Sequence, residues 1–213
     1  MTQLTHFDPD CRSCPRLADF LAEIRQEHPT YHARPVEPFG DSAPRLLIVG
    51  LAPGMHGANA TGRPFTGDYA GILLYETLHR FGFSSQPVST ARDDGLALNG
   101  CCITNAVKCL PPQNKPIGSE VNECNRYLRA ELADLDDGTV ILALGSVAHR
   151  AVVRALELKM KDYPFGHCQK YALDRRRWLI DSYHCSRYNT QTRRLTEEMF
   201  HDVFREIKKL LAA

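Results

Sequence analysis

The sequence predicts an α/β domain in which a mainly parallel sheet is covered by helices on both faces. Two observations carry this expectation. Strand-length stretches, the apolar runs RLLIVGL at 45–51 and TVILALG at 139–145 and a second strand expected at 101–107, alternate with longer stretches whose apolar residues recur at helical spacing. An unbroken apolar run is what a strand buried on both faces requires. The run at 139–145 also leads straight into a helical pattern, as a strand-to-helix unit does.

The elements follow in order. A first helix is expected over 15–28, where Leu17, Phe20, Leu21 and Ile24 recur at helical spacing and Pro15 suits the first turn. Residues 32–44 are rich in proline and predict an extended connection into the first strand. Helices over 69–83, 119–135 and 146–158 alternate with the second and third strands. Residues 170–174 and 177–183 read as strands around a basic turn, and Thr196 as the cap of a closing helix with Phe200, Val203, Phe204, Ile207 and Leu211 inward. No repeat or low-complexity segment divides the 213 residues, so one domain is expected, large enough for a core without disulfides.

Composition narrows the function classes. A net charge of +1 gives no whole-molecule basic field, so any contact with nucleic acid rests on local patches. No stretch approaches the roughly 20 apolar residues of a membrane span, and MTQLTHFDPD lacks the basic and apolar regions of a signal peptide. A cytoplasmic protein is expected, in which eight cysteines stay reduced and favour metal binding. Four of them stand as Cys11-x2-Cys14 and, after a long gap, Cys109-x14-Cys124. The close pair can hold one inorganic centre from a tight turn, and the distant pair makes that centre clasp the start of the chain to its middle. Zinc on the same thiolates is one reading; Cys101, Cys102, Cys168 and Cys185 read as small buried or incidental residues.

Between the two cysteine pairs, GLAPGMHGANATGRPFTGDYAG at 50–71 presents backbone, an aromatic and a carboxylate at a strand's carboxyl end, where open α/β sheets bind ligands. This segment resembles the first motif of the iron–sulfur uracil-DNA glycosylases, specifically family 5. TNAVKCLPPQNKP at 104–116, LALGSVA at 142–148 and SYHCSRYNTQTRRLT at 182–196 agree in order, the last looking like the family's histidine-bearing second motif. The resemblance spans nearly the whole chain. It implies a three-layer α/β/α domain over 1–213, a [4Fe-4S] cluster on Cys11, Cys14, Cys109 and Cys124, and a monomer acting on DNA. The implied reaction flips uracil, or another damaged base such as hypoxanthine, out of DNA and hydrolyses its N-glycosidic bond to leave an abasic site. No lysine stands out as a Schiff-base nucleophile, so strand cleavage is not expected.

Roles follow residue by residue. Phe65 offers a flat face for the flipped ring, and the amide of Asn105 reads its edge. His184 donates a hydrogen bond to the carbonyl oxygen that gathers charge on the leaving base. The backbone of Gly50, Leu51, Ala52, Pro53 and Gly54 approaches the substrate, with Gly50 and Gly54 relieving crowding. Related families place an acidic or amide residue immediately after the first glycine, whereas this chain has Leu51 and Ala52. The second catalytic role therefore falls to Asp68, with capping of the next helix as the structural alternative. Cys185, Ser186, Arg187 and Tyr188 correspond to the intercalation loop, Tyr188 or Arg187 serving as the wedge and Asn189 tying the loop to its base. Arg63, Lys108, Lys115, Arg187, Arg193 and Arg194 are the expected phosphate contacts. The missing polar residue at Leu51 and Ala52 is also the argument for a competing class, an iron–sulfur or zinc nucleic-acid sensor without chemistry. The GRPFTGD and TNAVKC segments and His184 argue against it.

Overall fold

Six strands, β1 (Phe39–Gly40), β2 (Leu46–Gly50), β3 (Cys101–Asn105), β4 (Val140–Leu144), β5 (Lys170–Ala172) and β6 (Trp178–Ser182), form one sheet in the order β1-β3-β2-β4-β6-β5 in the computed structural model. The structure describes residues 7–212. Part of the opening segment read for an export signal therefore lies outside the described residues. The four central strands are parallel, and β1 and β5 pair antiparallel at the two edges. Every residue of β2, β3 and β4 is buried, which is why each reads as a continuous apolar run.

Seven helices accompany them among the described residues: α1 (Pro15–Glu27), α2 (Ala58–Thr61), α3 (Tyr69–Arg80), α4 (Gly118–Ala133), α5 (Ser146–Ala155), α6 (Arg187–Gln191) and α7 (Glu197–Ala212). Successive side chains of β2 point to opposite faces. Leu47 and Val49 meet Leu17 and Leu21 of α1, Leu128 of α4 and Val152 of α5 in one core. Leu46 and Ile48 meet Leu74 and Leu78 of α3 and Phe200 and Phe204 of α7 in the other. The result is the expected three-layer α/β/α arrangement. No described helix is long and apolar enough to cross a membrane.

The departures from expectation are local. The second strand ends at Asn105, before the predicted 107, because the N–H groups of Ala106 and Val107 donate to the carbonyls of Gly50 and Leu51 and follow the loop leaving β2. The predicted helix 146–158 stops at Ala155, and the strand predicted at 170–174 is the short edge strand β5. Elements β1, α2 and α6 were not anticipated; each is five residues or fewer, too short for periodicity to register.

Candidate active site

The carboxyl ends of four parallel strands converge on one cavity of about 460 Å³. Leu51 follows β2, Asn105 ends β3, Gly145 follows β4 and His184 lies just beyond β6, and all four line it together with Phe65 and Asp68. The cavity therefore sits where the strand order reverses on either side of β2, the place a doubly wound sheet leaves open for a ligand.

Close approach at Gly50 sets the floor. A β-carbon there would lie 2.3 Å from Asn105 Oδ1 and 2.7 Å from the Phe65 ring, so a hydrogen is all the space admits. Gly54 differs from expectation: a β-carbon would meet only Asp68 Oδ2, at an ordinary 3.6 Å. Phe65 adopts φ +54°, strained for a side chain of its size. The turn is held by the Tyr75 hydroxyl donating to Pro64 O at 2.8 Å and by the Thr66 and Ser89 hydroxyls, 2.7 Å apart. The ring ends 6.0 Å from that of His184, with 29° between planes. Asn105 is buried, and its Oδ1 has no hydrogen-bond partner among the described residues. An acceptor left unmade in this way costs about 1–3 kcal/mol, a cost that a donor on a ligand removes.

Asp68 caps the next helix, as one of its two expected readings has it, and also lines the cavity. Its Oδ1 accepts from Gly71 N at 2.9 Å and caps α3. Its Oδ2 turns to the loop after β2, where a β-carbon on Gly57 would come within 2.7 Å of it. Burial raises the carboxyl's pKa, opposed in part by the N–H groups of Gly71 and Ala70. His184 is driven the other way: burial lowers its pKa to about 4, so the imidazole is neutral at pH 7. It nonetheless keeps a face on the cavity.

Beyond His184 the chain is fastened before it is exposed. Asn189 Nδ2 donates to His184 O at 2.8 Å, as expected for a tie, and Ser186 caps α6. The Cys185 side chain is fully buried in the core shared with α7, which anchors the loop. Tyr188 projects, 71% exposed. The guanidinium of Arg187 lies 5.9 Å from the Tyr69 ring, and that of Arg194 lies over Tyr183 at 4.7 Å and lines the cavity.

Two expected phosphate contacts are corrected. Arg63 is buried, pairs with Asp94 at 2.7 Å and packs over the Phe39 ring at 4.4 Å. Lys108 is buried and pairs with Glu131 at 2.5 Å and with the Thr104 hydroxyl. Both cations are spent inside the fold and cannot reach a phosphate. Lys115, Arg187, Arg193 and Arg194 are exposed. Asn114, Ser146, Phe165 and Tyr183 line the cavity without having been singled out. Of these only Ser146 carried a readable signal, its place directly after the glycine that ends a predicted strand.

A second, smaller cavity is lined by Cys11, Cys14, Cys109 and Cys124. Cys14 precedes α1, Cys109 follows β3 and Cys124 faces inward from α4, so three separate segments meet here. Lys108 N donates to Cys124 Sγ at 3.3 Å and Arg126 Nη2 to Cys11 Sγ at 3.4 Å. Burial, with the neighbouring Cys124, raises the Cys14 thiol to about 11, and burial raises Cys109 further. Thiols so placed become thiolates only against a compensating cation. Among the described residues no three His, Cys, Asp or Glu side chains close on a single metal ion.

A buried unpaired amide oxygen, a flat ring and a neutral imidazole around one cavity make a site for a planar heterocycle with polar edges. A family model described as the Uracil DNA glycosylase superfamily matches residues 37–208, and the chain belongs to that superfamily. It is 47% identical over 207 residues to a type-5 uracil-DNA glycosylase of Thermus thermophilus, covering 94% of this chain and 93% of the relative. It is likewise 40% identical to a type-5 enzyme of Pyrobaculum aerophilum, covering 92% and 87%, and 43% identical to one of Mycobacterium bovis, covering 94% and 78%.

Proposed function

We propose that this chain is a monofunctional uracil-DNA glycosylase, a DNA-repair hydrolase that flips uracil out of DNA, cleaves its N-glycosidic bond and leaves an abasic site. The observation that carries this reading is the unsatisfied Oδ1 of Asn105 beside the Phe65 ring. Uracil supplies an imide N–H for that oxygen, a carbonyl for the amide's N–H2 and a face for the ring. Flipping costs a few kcal/mol in lost stacking and pairing. The exposed Tyr188, or Arg187 beside it, fills the vacated space from a loop that Asn189 and Cys185 hold in place.

As the bond to C1′ lengthens, its electrons move onto the base and collect on the carbonyl oxygen. Neutral His184 donates a hydrogen bond to that oxygen, while the Asp68 carboxylate faces the cationic sugar and orients water. Water adds its hydroxyl to C1′ and gives up its proton, and the base departs as an anion that is protonated in solvent. Leu51 and Ala52 put no polar side chain in the cavity, which leaves room for purines such as hypoxanthine. Since one chain supplies every group of the pocket, the working form in this reading is a monomer on DNA.

The direct test incubates the protein with a uracil-containing oligonucleotide and then alkali, which breaks the strand wherever the base has been removed. Scission is expected for uracil, and Asn105→Ala should slow it about 10- to 100-fold by removing edge readout. Unbroken DNA with wild-type protein would overturn the reading. Equal losses for Asn105→Ala on every damaged base would remove its amide from recognition.

Cys11, Cys14, Cys109 and Cys124 hold a [4Fe-4S] cluster in this reading. A [4Fe-4S] cluster takes four thiolate ligands, which the four cysteines around this cavity would supply from three segments of the chain. The group would clamp α1, β3 and α4 together; the hydrolysis has no net redox change. Anaerobically purified protein should be brown, and Cys14→Ser or Cys109→Ser should bleach it and lower soluble yield. Colourless protein with one equivalent of zinc would sink the assignment.

A further inference from the structure

Where α1 ends, three rings gather on the surface outside the pocket. His28, the residue that caps α1, stacks on Tyr31 at 4.5 Å with 15° between planes. The Tyr31 hydroxyl meets His56 Nδ1 at 2.8 Å, and the His56 ring stands edge-on to both, 6.1 Å from His28 and 6.0 Å from Tyr31. His56 is exposed and the other two are half-buried. Tyr31 rests partly against the core beside α1, and the two imidazoles lie outside the buried core.

Their position is fixed by the same loop that walls the pocket. His56 lies between Gly54 and Ala58, both of which line the cavity, and next to Gly57, which packs on Asp68. The chain carrying Tyr31 is tied there by His32 N donating to Ala60 O at 3.0 Å and Ala33 N to Asn59 O at 2.9 Å. His184, which also lines the cavity, arrives from β6, separated from β2 by β4, and the projecting Tyr188 follows four residues later. The cavity wall and the ring cluster therefore share the loop that carries His56.

We infer that His28, Tyr31 and His56 form a preassembled stacking platform for an unpaired nucleotide flanking the flipped one on the same DNA strand. The inference rests on the glycosylase reading. A nucleobase presents a flat face that stacks on an aromatic or imidazole ring regardless of sequence, and imidazole N–H groups hydrogen-bond phosphate. The Tyr31–His56 bond holds the rings in register before DNA arrives, so little ordering is lost on contact. Such a platform grips the strand on one side of the lesion and favours DNA that is single-stranded there.

The test is binding of abasic-site oligonucleotides by fluorescence anisotropy, with single-stranded extensions on the 5′ side only, the 3′ side only, or neither. Wild-type protein should bind more tightly when one particular side is extended. Tyr31→Ala and His28→Ala should weaken binding of that oligonucleotide about 5- to 100-fold, while leaving the unextended one unchanged. Tyr31→Phe, which keeps the ring, should retain most of the gain. His28→Ala removes only a surface ring and guards against a Tyr31→Ala variant that fails to fold. Equal losses on all oligonucleotides, or none on any, would overturn the platform. Wild-type cleavage of uracil measured in parallel separates the two ideas: cleavage with no extension effect sinks the platform alone, and no cleavage sinks the glycosylase reading itself.

Discussion

Replacing His184 with alanine is expected to slow single-turnover release of uracil by roughly 10²- to 10³-fold, while affinity for abasic DNA stays near the wild-type value. The reason is that its hydrogen bond strengthens only as charge arrives on the departing base. A loss of product affinity matching the loss of rate would assign His184 to binding instead. The buried imidazole also fixes a pH dependence. With a pKa of about 4 in the fold against an ordinary 6.5, the unfolded chain binds the proton more readily between those values. Stability therefore falls as pH drops below about 6.5 and stops falling below about 4, by up to ~3 kcal/mol from this group. Urea melts of wild type and His184→Gln across that window should differ in slope, the variant being flatter. The cleavage rate should show no limb centred at 6.5 from His184.

Asp68→Asn is expected to lower the rate by about 10²-fold or more and to leave the melting temperature equal or higher. Asparagine caps helices as well as aspartate does, so the bond to Gly71 survives. The sign of the stability change follows from burial. A carboxyl whose pKa is raised in the fold is harder to ionise there than in the unfolded chain, so it opposes folding at neutral pH and ceases to do so once both states are protonated. The neutral amide removes that penalty together with the negative charge facing the cavity. Near-wild-type cleavage by a well-folded Asp68→Asn would reduce the residue to its cap.

The layers were legible because β2, β3 and β4 are buried on both faces and α1 and α7 on one, and such burial writes itself into the order of apolar residues. Asn105 and His184 were legible because each stands at or just after a strand end, whereas Phe65 and Asp68, which lie past α2, were placed by the resemblance to the glycosylase family. Arg63 and Lys108 were misread for a reason equally physical. Their partners Asp94 and Glu131 lie 31 and 23 residues away, and a charge neutralised across that distance looks free in one dimension. Asn114 and Phe165 reach the cavity from loops whose course depends on tertiary packing, while Tyr183 directly follows β6 beside His184. For Asp68 the cap was legible, because an aspartate directly before a helical pattern is a preferred N-cap.

That the pocket groups hang from the ends of four different strands bears on what an unfinished molecule can do. A chain still missing β6 has no His184 in place and one missing β3 has no Asn105, so neither has the complete cavity. Long-range parallel pairing forms slowly, so nascent or partly opened chains exist for a time inside a cell full of sound DNA. Because its walls come from four strand ends, the cavity exists only once the sheet has closed.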